Sequence, residues 1–295
     1  MLVIGSSNTD MVVKTSRFPA PGETIIGGDF FIFPGGKGAN QAVAAARLGV
    51  RTTFICRTGD DLFGRQALEG FRNEGIDTTY CSVDPEAASG VALITINAEG
   101  QNEIVVAPGA NDRLMPEHLD AAKSAFTNNE YVLFQLEIPM ATVSHGIQMC
   151  RDLGIKAILN PAPAALLDKN LYPKLYLITP NEKEAEMLTG ISIDDLASAD
   201  KAADRFLAWG VKQVIITLGA GGAYFKDGEQ AFHIPAPIIQ AVDTTAAGDI
   251  FNGALAVALS QGQSWKEAVR FAVKAASLSV SRLGAQASAP YLYEI

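Results

Sequence analysis

Six short apolar runs recur along this chain, and a stretch of helical periodicity follows each of them. They are LVIG at 2–5, TTFIC at 52–56, YVLFQL at 131–136, KAILN at 156–160, LYLITP at 175–180 and QVIITLG at 213–219. Continuous apolarity over so few residues reads as a strand covered on both faces. The segments 38–49, 61–75, 140–154 and 199–210 place apolar residues at helical spacing and stop at Gly49, Gly75, Gly154 and Gly210. Glycine is the usual C-terminal stop of a helix. Strands alternating with helices predict an α/β chain with a mostly parallel central sheet covered on both faces. At 295 residues and 48% apolar, the chain reads as one α/β domain over 1–295 with a sizeable core.

Two stretches break the rhythm. Residues 10–33 and 89–107 alternate polar with apolar side chains, and NAEGQN at 97–102 looks like a hairpin connection. They predict a small antiparallel sheet outside the main layers, either a lid over a pocket or an edge extension of the central sheet.

The charge balance narrows the partners. A net charge of −9 with no basic block disfavours nucleic acid and anionic membranes, and fits small-molecule chemistry. No apolar run reaches the ~20 residues of a membrane-spanning helix, and the N-terminus lacks the pattern of a signal peptide. Three scattered cysteines form no CxxC pair, which favours a reducing, cytoplasmic setting. Three scattered histidines argue against a zinc site or a Ser-His-Asp triad.

Three polar constellations remain. FPGGKGANQA at 33–42 lacks the Ser or Thr of a Walker loop after Lys37, and no GxGxxG fingerprint follows the first strand. Its glycines still let a ligand approach backbone amides at a helix start, with Lys37 and Asn40 suited to hydroxyls; a plain strand-to-helix turn is the alternative. Asn8 and Asp10 read as the C-terminal end of the first strand, where open α/β sheets bind ligands, or as an Asx turn. The third is DTTAAGD at 243–249. Ala246, Ala247 and Gly248 leave backbone N–H groups open at a helix start, an anion-binding nest, and Asp249 stands inside it as a proton acceptor. A carboxylate favoured by the helix dipole is the alternative for Asp249, but it does not account for the small residues before it. Together these features point to phosphoryl transfer.

DTTAAGD resembles the C-terminal signature of the PfkB carbohydrate kinase family, and GGKGANQAVAAARLG at 35–49 resembles its N-terminal signature. GSSNTD, PGET, LNPAPA, TPNEKEAEMLTG, ITLGAGGAY and GAQASAP extend the match in order over nearly the whole chain. The resemblance implies a three-layer α/β/α fold with a β-sheet lid, two lids pairing into a homodimer. It implies transfer of the ATP γ-phosphate to O5 of D-ribose, with related kinases of 2-deoxyribose, another sugar or a nucleoside as alternatives. A sugar-binding protein that has lost catalysis is disfavoured, because Asp249, Asn181 and Glu184 are all present. By this resemblance Asp249 is the base, and the backbone of 246–249 forms the anion hole. Asn8, Asp10, Gly36, Lys37, Asn40 and Glu137 match sugar-contacting positions. Asn181, Thr217, Gly219, Gly221, Gly222 and Gly248 match nucleotide-side positions. Asn181 and Glu184 resemble a magnesium organiser acting through water. Asp243, Thr245, Ser279, Arg282, Gly284 and Ser288 match a potassium site. The family prefers glycine where Ala246 stands, and the chain ends at Ile295 without the terminal helix of many relatives.

Overall fold

A computed structural model describes all 295 residues. The strands in chain order are β1 Leu2–Ile4, β2 Asn8–Lys14, β3 Phe30–Gly35, β4 Thr53–Ile55, β5 Arg57–Gly59, β6 Ser82–Asp84, β7 Gly90–Ile96, β8 Asn102–Ala107, β9 Tyr131–Phe134, β10 Lys156–Leu159, β11 Leu177–Ile178, β12 Gln213–Thr217, β13 Ala223–Lys226 and β14 Ala231–Ile234. The main sheet has the order β14-β13-β12-β11-β10-β9-β1-β4. Its strands from β12 to β4 are parallel, and β13 and β14 add an antiparallel edge.

Successive strand residues point to opposite faces, so each apolar run feeds two cores at once. Val3, Phe54, Leu133, Ile158, Leu177 and Ile215 pack on one side, beneath the helices Lys37–Arg47, Ala247–Ser260 and Trp265–Ser279. Leu2, Ile4, Ile55, Val132, Phe134, Ile178 and Ile216 pack on the other, beneath Met140–Leu153 and Leu196–Ala208. This is the expected α/β/α layering. The four glycine stops hold: Gly49, Gly75, Gly154 and Gly210 all adopt positive φ. The fourth helix starts earlier than its apolar spacing indicated, at Leu196, because the Asp195 carboxylate accepts the Ser198 amide at 2.7 Å and caps it.

A separate four-stranded sheet has the order β3-β2-β7-β8. It is not hydrogen-bonded to the main sheet, which removes the edge-extension reading. Nor is it purely antiparallel: β2 and β7, its central pair, run parallel over Asn8–Lys14 and Gly90–Ile96. The alternation revealed strands but not their direction. Residues 15–29 form a connection without strand structure.

The first strand also ends earlier than expected. β1 stops at Ile4, and residues 5–7 cross to the small sheet, so Asn8 and Asp10 belong to β2. They still share one face of an extended strand.

Candidate active site

The glycine-rich loop brings the two sheets together. Gly36 has φ 90°, and a Cβ there would lie 2.6 Å from the Asn8 nitrogen. Only glycine lets β3 turn into the helix Lys37–Arg47 while the β1–β2 crossing packs against it. The Lys37 amide donates to Glu137 Oε2 at 3.0 Å, and Ser6 Oγ donates to the same oxygen at 2.5 Å. A carboxylate thus sits on the positive end of the helix. Glu137 spends one oxygen on this anchor and keeps the other.

Asn8 is similarly part-committed. Its Oδ1 accepts Asn111 Nδ2 at 2.7 Å, while Asn111 also exchanges hydrogen bonds with the backbone of Ser7. The Asn8 NH2 group is therefore turned away from Asn111. Asp10 lies over the backbone of Gly35, where a Cβ would meet its carboxylate at 2.3 Å. Burial first, then the nearby Glu137 and Asp249, push the Asp10 carboxyl up to about 7, against the opposing pull of Lys37.

Asp249 occupies the first turn of Ala247–Ser260 and is only 5% exposed. Its Oδ2 accepts Asn40 Nδ2 at 2.9 Å and its Oδ1 accepts Gln41 Nε2 at 3.2 Å. Burial raises its pKa, opposed by Lys37 and the amide bonds. The amides of Gly248 and Asp249 have no acceptor in the protein, whereas that of Ala247 is turned to Thr244 O at 3.3 Å. Of the amides of 246–249, that of Ala247 alone is taken, and that of Ala246 is free as well. Ala246 itself adopts φ 61°, the only non-glycine residue with positive φ.

Lys37 makes no ion pair within bonding distance, yet its ammonium is held firmly protonated, chiefly by Asp249 and then by Glu137, Glu184 and Asp10. It lines a cavity of about 170 Å³ together with Asp249, Gly248, Asn160, Asn181 and Glu184. Asn181, Thr217, Thr244, Ala247 and Gly248 also line an adjoining cavity of about 610 Å³. That larger space is walled by apolar side chains, among them Phe251, Val273 and Ile239, with Thr217, Gly219 and Gly222 at its rim. Gly221 does not line it; its carbonyl pairs with His233 Nε2 at 2.6 Å.

The Asn181 and Glu184 pair is a capping box. Asn181 Oδ1 accepts the Glu184 amide and Glu184 Oε2 accepts the Asn181 amide, both at 2.9 Å. Glu184 is not the solvated first-turn carboxylate its spacing also allowed: it is 7% exposed, and burial raises its pKa. Its second oxygen is left for the cavity.

The remaining positions cluster where the loop before Ala247–Ser260 meets the C-terminal segment. Asp243 accepts the Thr245 amide and the Gly284 amide, each at 2.9 Å. Its own amide and that of Val242 donate to Val280 O, next to Ser279. Arg282 pairs with Glu294, and Ser288 Oγ is turned to Ala285 O at 2.8 Å.

Sequence reasoning missed the neutral side chains around Asp249: the amides of Gln41, Gln135, Asn160 and Asn252 and the hydroxyl of Thr179, all buried. The available signal was a polar residue ending an apolar run, as in YVLFQ and KAILN.

Residues 1–292 match the model of the pfkB family carbohydrate kinases. A ribokinase from Haemophilus influenzae is 42% identical over 290 residues, 98% of this chain and 95% of that protein. A deoxyribokinase from Salmonella typhi is 39% identical over 289 residues, covering 98% and 94%. The structure of an Arabidopsis thaliana ribokinase complexed with ribose and ATP superposes with a TM-score of 0.94 at 34% identity, over 99% of this chain and 96% of that one.

Proposed function

This chain belongs to the pfkB family of carbohydrate kinases, and from that membership we propose that it transfers the γ-phosphoryl group of ATP to O5 of D-ribose, giving D-ribose 5-phosphate and ADP. The observation that carries the reading is the place of Asp249: a buried carboxylate in the wall of a polar cavity, beside the free amide of Gly248, a residue that also borders a nucleotide-sized space.

Asn8, Asp10, Lys37 and Asn40 hold the sugar hydroxyls beneath the small sheet, which acts as a lid, with the free oxygen of Glu137 beside them. Gly36 shapes that wall. Asn40 supports this directly: its Oδ1 is buried and has no partner, an acceptor awaiting a hydroxyl donor. Asp249 accepts the O5 proton as the oxygen attacks, and its raised pKa makes it a stronger base than a surface aspartate. The amides of Gly248 and Asp249 receive the charge that moves onto the transferring group, with the helix dipole behind them. The purine lies in the apolar slot by Val273, and the phosphates pass Thr217, Gly219, Gly222 and Asn181.

A magnesium ion fits beside Asn181 and Glu184, where the spare buried oxygen of Glu184 would hold it through water, as suits an ion that dehydrates reluctantly; bound there it would offset phosphate charge. A potassium ion fits near Asp243, where the carbonyls of Thr245 and Arg282 carry no backbone hydrogen bond; bound there it would brace the nest loop. Gly284, Ser279 and Ser288 complete that group. The three cysteines are all free, in keeping with a cytoplasmic enzyme.

The Salmonella deoxyribokinase keeps 2-deoxyribose open as the substrate. An ADP-release assay with ribose, 2-deoxyribose, other pentoses and adenosine, with and without potassium, tests both. The expected result is the highest kcat/KM on ribose, with potassium raising the rate. Activity on adenosine with none on ribose overturns the assignment.

A further inference from the structure

A circuit of neutral side chains closes on the Asp249 carboxylate, and three of its members, Asn160, Thr179 and Asn252, line the same cavity as Lys37 and Glu184. Gln41 is fully buried one residue beyond Asn40. Its Nε2 donates to Asp249 Oδ1 at 3.2 Å and to Asn160 Oδ1 at 3.1 Å, and its Oε1 accepts Gln135 Nε2 at 2.6 Å. Asn160 Nδ2 donates to Thr179 O at 3.3 Å, Thr179 Oγ1 donates to Asn252 Oδ1 at 2.6 Å, and Asn252 Nδ2 donates to Gly248 O at 2.8 Å. The circuit thus runs from the carboxylate of the base back to the peptide that carries the free amide of Asp249.

We propose that Gln41, locked by Gln135, is a positioning residue that fixes the Asp249 carboxylate relative to the amide nest. The inference rests on the kinase reading for its role in turnover, but not for the contact itself. The orientation of Gln41 is unambiguous. Turned over, its oxygen would face the acceptors of Asp249 and Asn160, and its NH2 group would face the NH2 of Gln135. Both oxygens of Asp249 receive one side-chain donor each, from successive residues of one helix, so the carboxylate cannot rotate without losing a charge-assisted bond. Every ring member acts as a fixed dipole and costs no reorganisation during the reaction. The charged groups that act on Asp249 are Lys37 on the same helix as Gln41, Glu137 after β9, Asp10 on β2 and Glu184 on the capped helix, and Gln41 hydrogen-bonds to none of these four. Removing Gln41 therefore takes away the donor while leaving that field in place.

Gln41→Met keeps the length and loses both donors. In the full-length enzyme kcat is expected to fall about 10- to 100-fold, the effect of one hydrogen bond to a charged group, with KM for ribose within about threefold. The acid limb of the kcat–pH profile moves to higher pH, since the ionised form has lost a donor. Gln135→Met moves both in the same sense by less. Carboxyl carbon NMR titration of Asp249 in the free protein, assigned with Asp249→Asn, reads the contact without any substrate. A higher Asp249 pKa in Gln41→Met supports the proposal even if the wild type proves inactive on ribose, a result that would sink only the substrate assignment. An unchanged titration overturns the proposal, and so does a kcat loss with an unmoved acid limb, which is the behaviour of a merely structural residue.

Discussion

Two aspartates lie close enough to act on each other's charge, and their surroundings separate them. Asp249 is held on both oxygens by amides and borders the open nest. Replacing it with asparagine keeps the shape but removes the proton acceptor, so kcat is expected to fall by ~10²–10⁴; calorimetry should find ribose binding retained. Equal kcat in the variant would refute the base assignment. Asp10 makes no ion pair and is raised to about 7 mainly by burial. A raised carboxyl takes up its proton in the folded state before the unfolded chain does. Its ionisation therefore costs stability above about pH 7, and that cost is recovered as pH falls from about 7 toward the unfolded carboxylate range. Asp10→Asn should flatten this part of a Tm–pH curve measured on the free protein; a curve parallel to wild type would show that Asp10 is not the group. Ala246 was noticed in sequence as a departure from a glycine preference. Its φ of 61° gives the reason: the nest needs a left-handed residue there, which costs an alanine about 1 kcal/mol.

At the scale of elements, the apolar runs were legible because a doubly covered strand has no polar face to confuse the pattern. The antiparallel edge β13–β14 and the parallel pairing of β2 with β7 were not, since direction is decided by partners far away in sequence. The N-x-x-E spacing of Asn181 and Glu184 was read as an ion organiser and is also a capping box; the cap itself leaves both residues lining the cavity. Local patterns also could not reveal why Asp249 meets Asn40. The cause is Gly253, one turn further along its helix, where a Cβ would lie 2.8 Å from both Ala44 Cβ and Gln41 O. Without a side chain there, the helices Lys37–Arg47 and Ala247–Ser260 approach closely enough for Asn40 and Gln41 to reach the carboxylate. Helix propensity alone favours Gly253→Ala by ~1 kcal/mol. Overpacking at two contacts opposes it by ~1–3 kcal/mol. Thermal unfolding should show a net loss of stability, and kcat should fall more than KM rises as the helices separate. A stabilised, fully active variant would show that the close crossing is not needed.

For the whole molecule, the unresolved tension lies in the small sheet. All six residues of β8 are exposed, with Ile104, Val105 and Val106 at 52%, 67% and 46% exposure. The register aligns Ile32, Met11, Leu93 and Val105 in one row across the four strands, on the face opposite Asp10. An apolar row ending in an unpaired edge is a surface that soluble proteins cover. The covering partner that fits the homodimer reading is a second copy of the same lid, which would bury the row and stiffen the sheet that carries Asn8 and Asp10. Stability of the main domain does not depend on it, because its two cores lie around the other sheet. Val105→Lys places a charge in the row without touching the cavity. Light scattering at micromolar concentration should then give the mass of one chain where the wild type gives two. Thermal unfolding of the main domain should change little, while KM for ribose rises as the lid loses its support. A wild type that is monomeric at that concentration removes the dimer. A dimer that survives Val105→Lys moves the interface elsewhere.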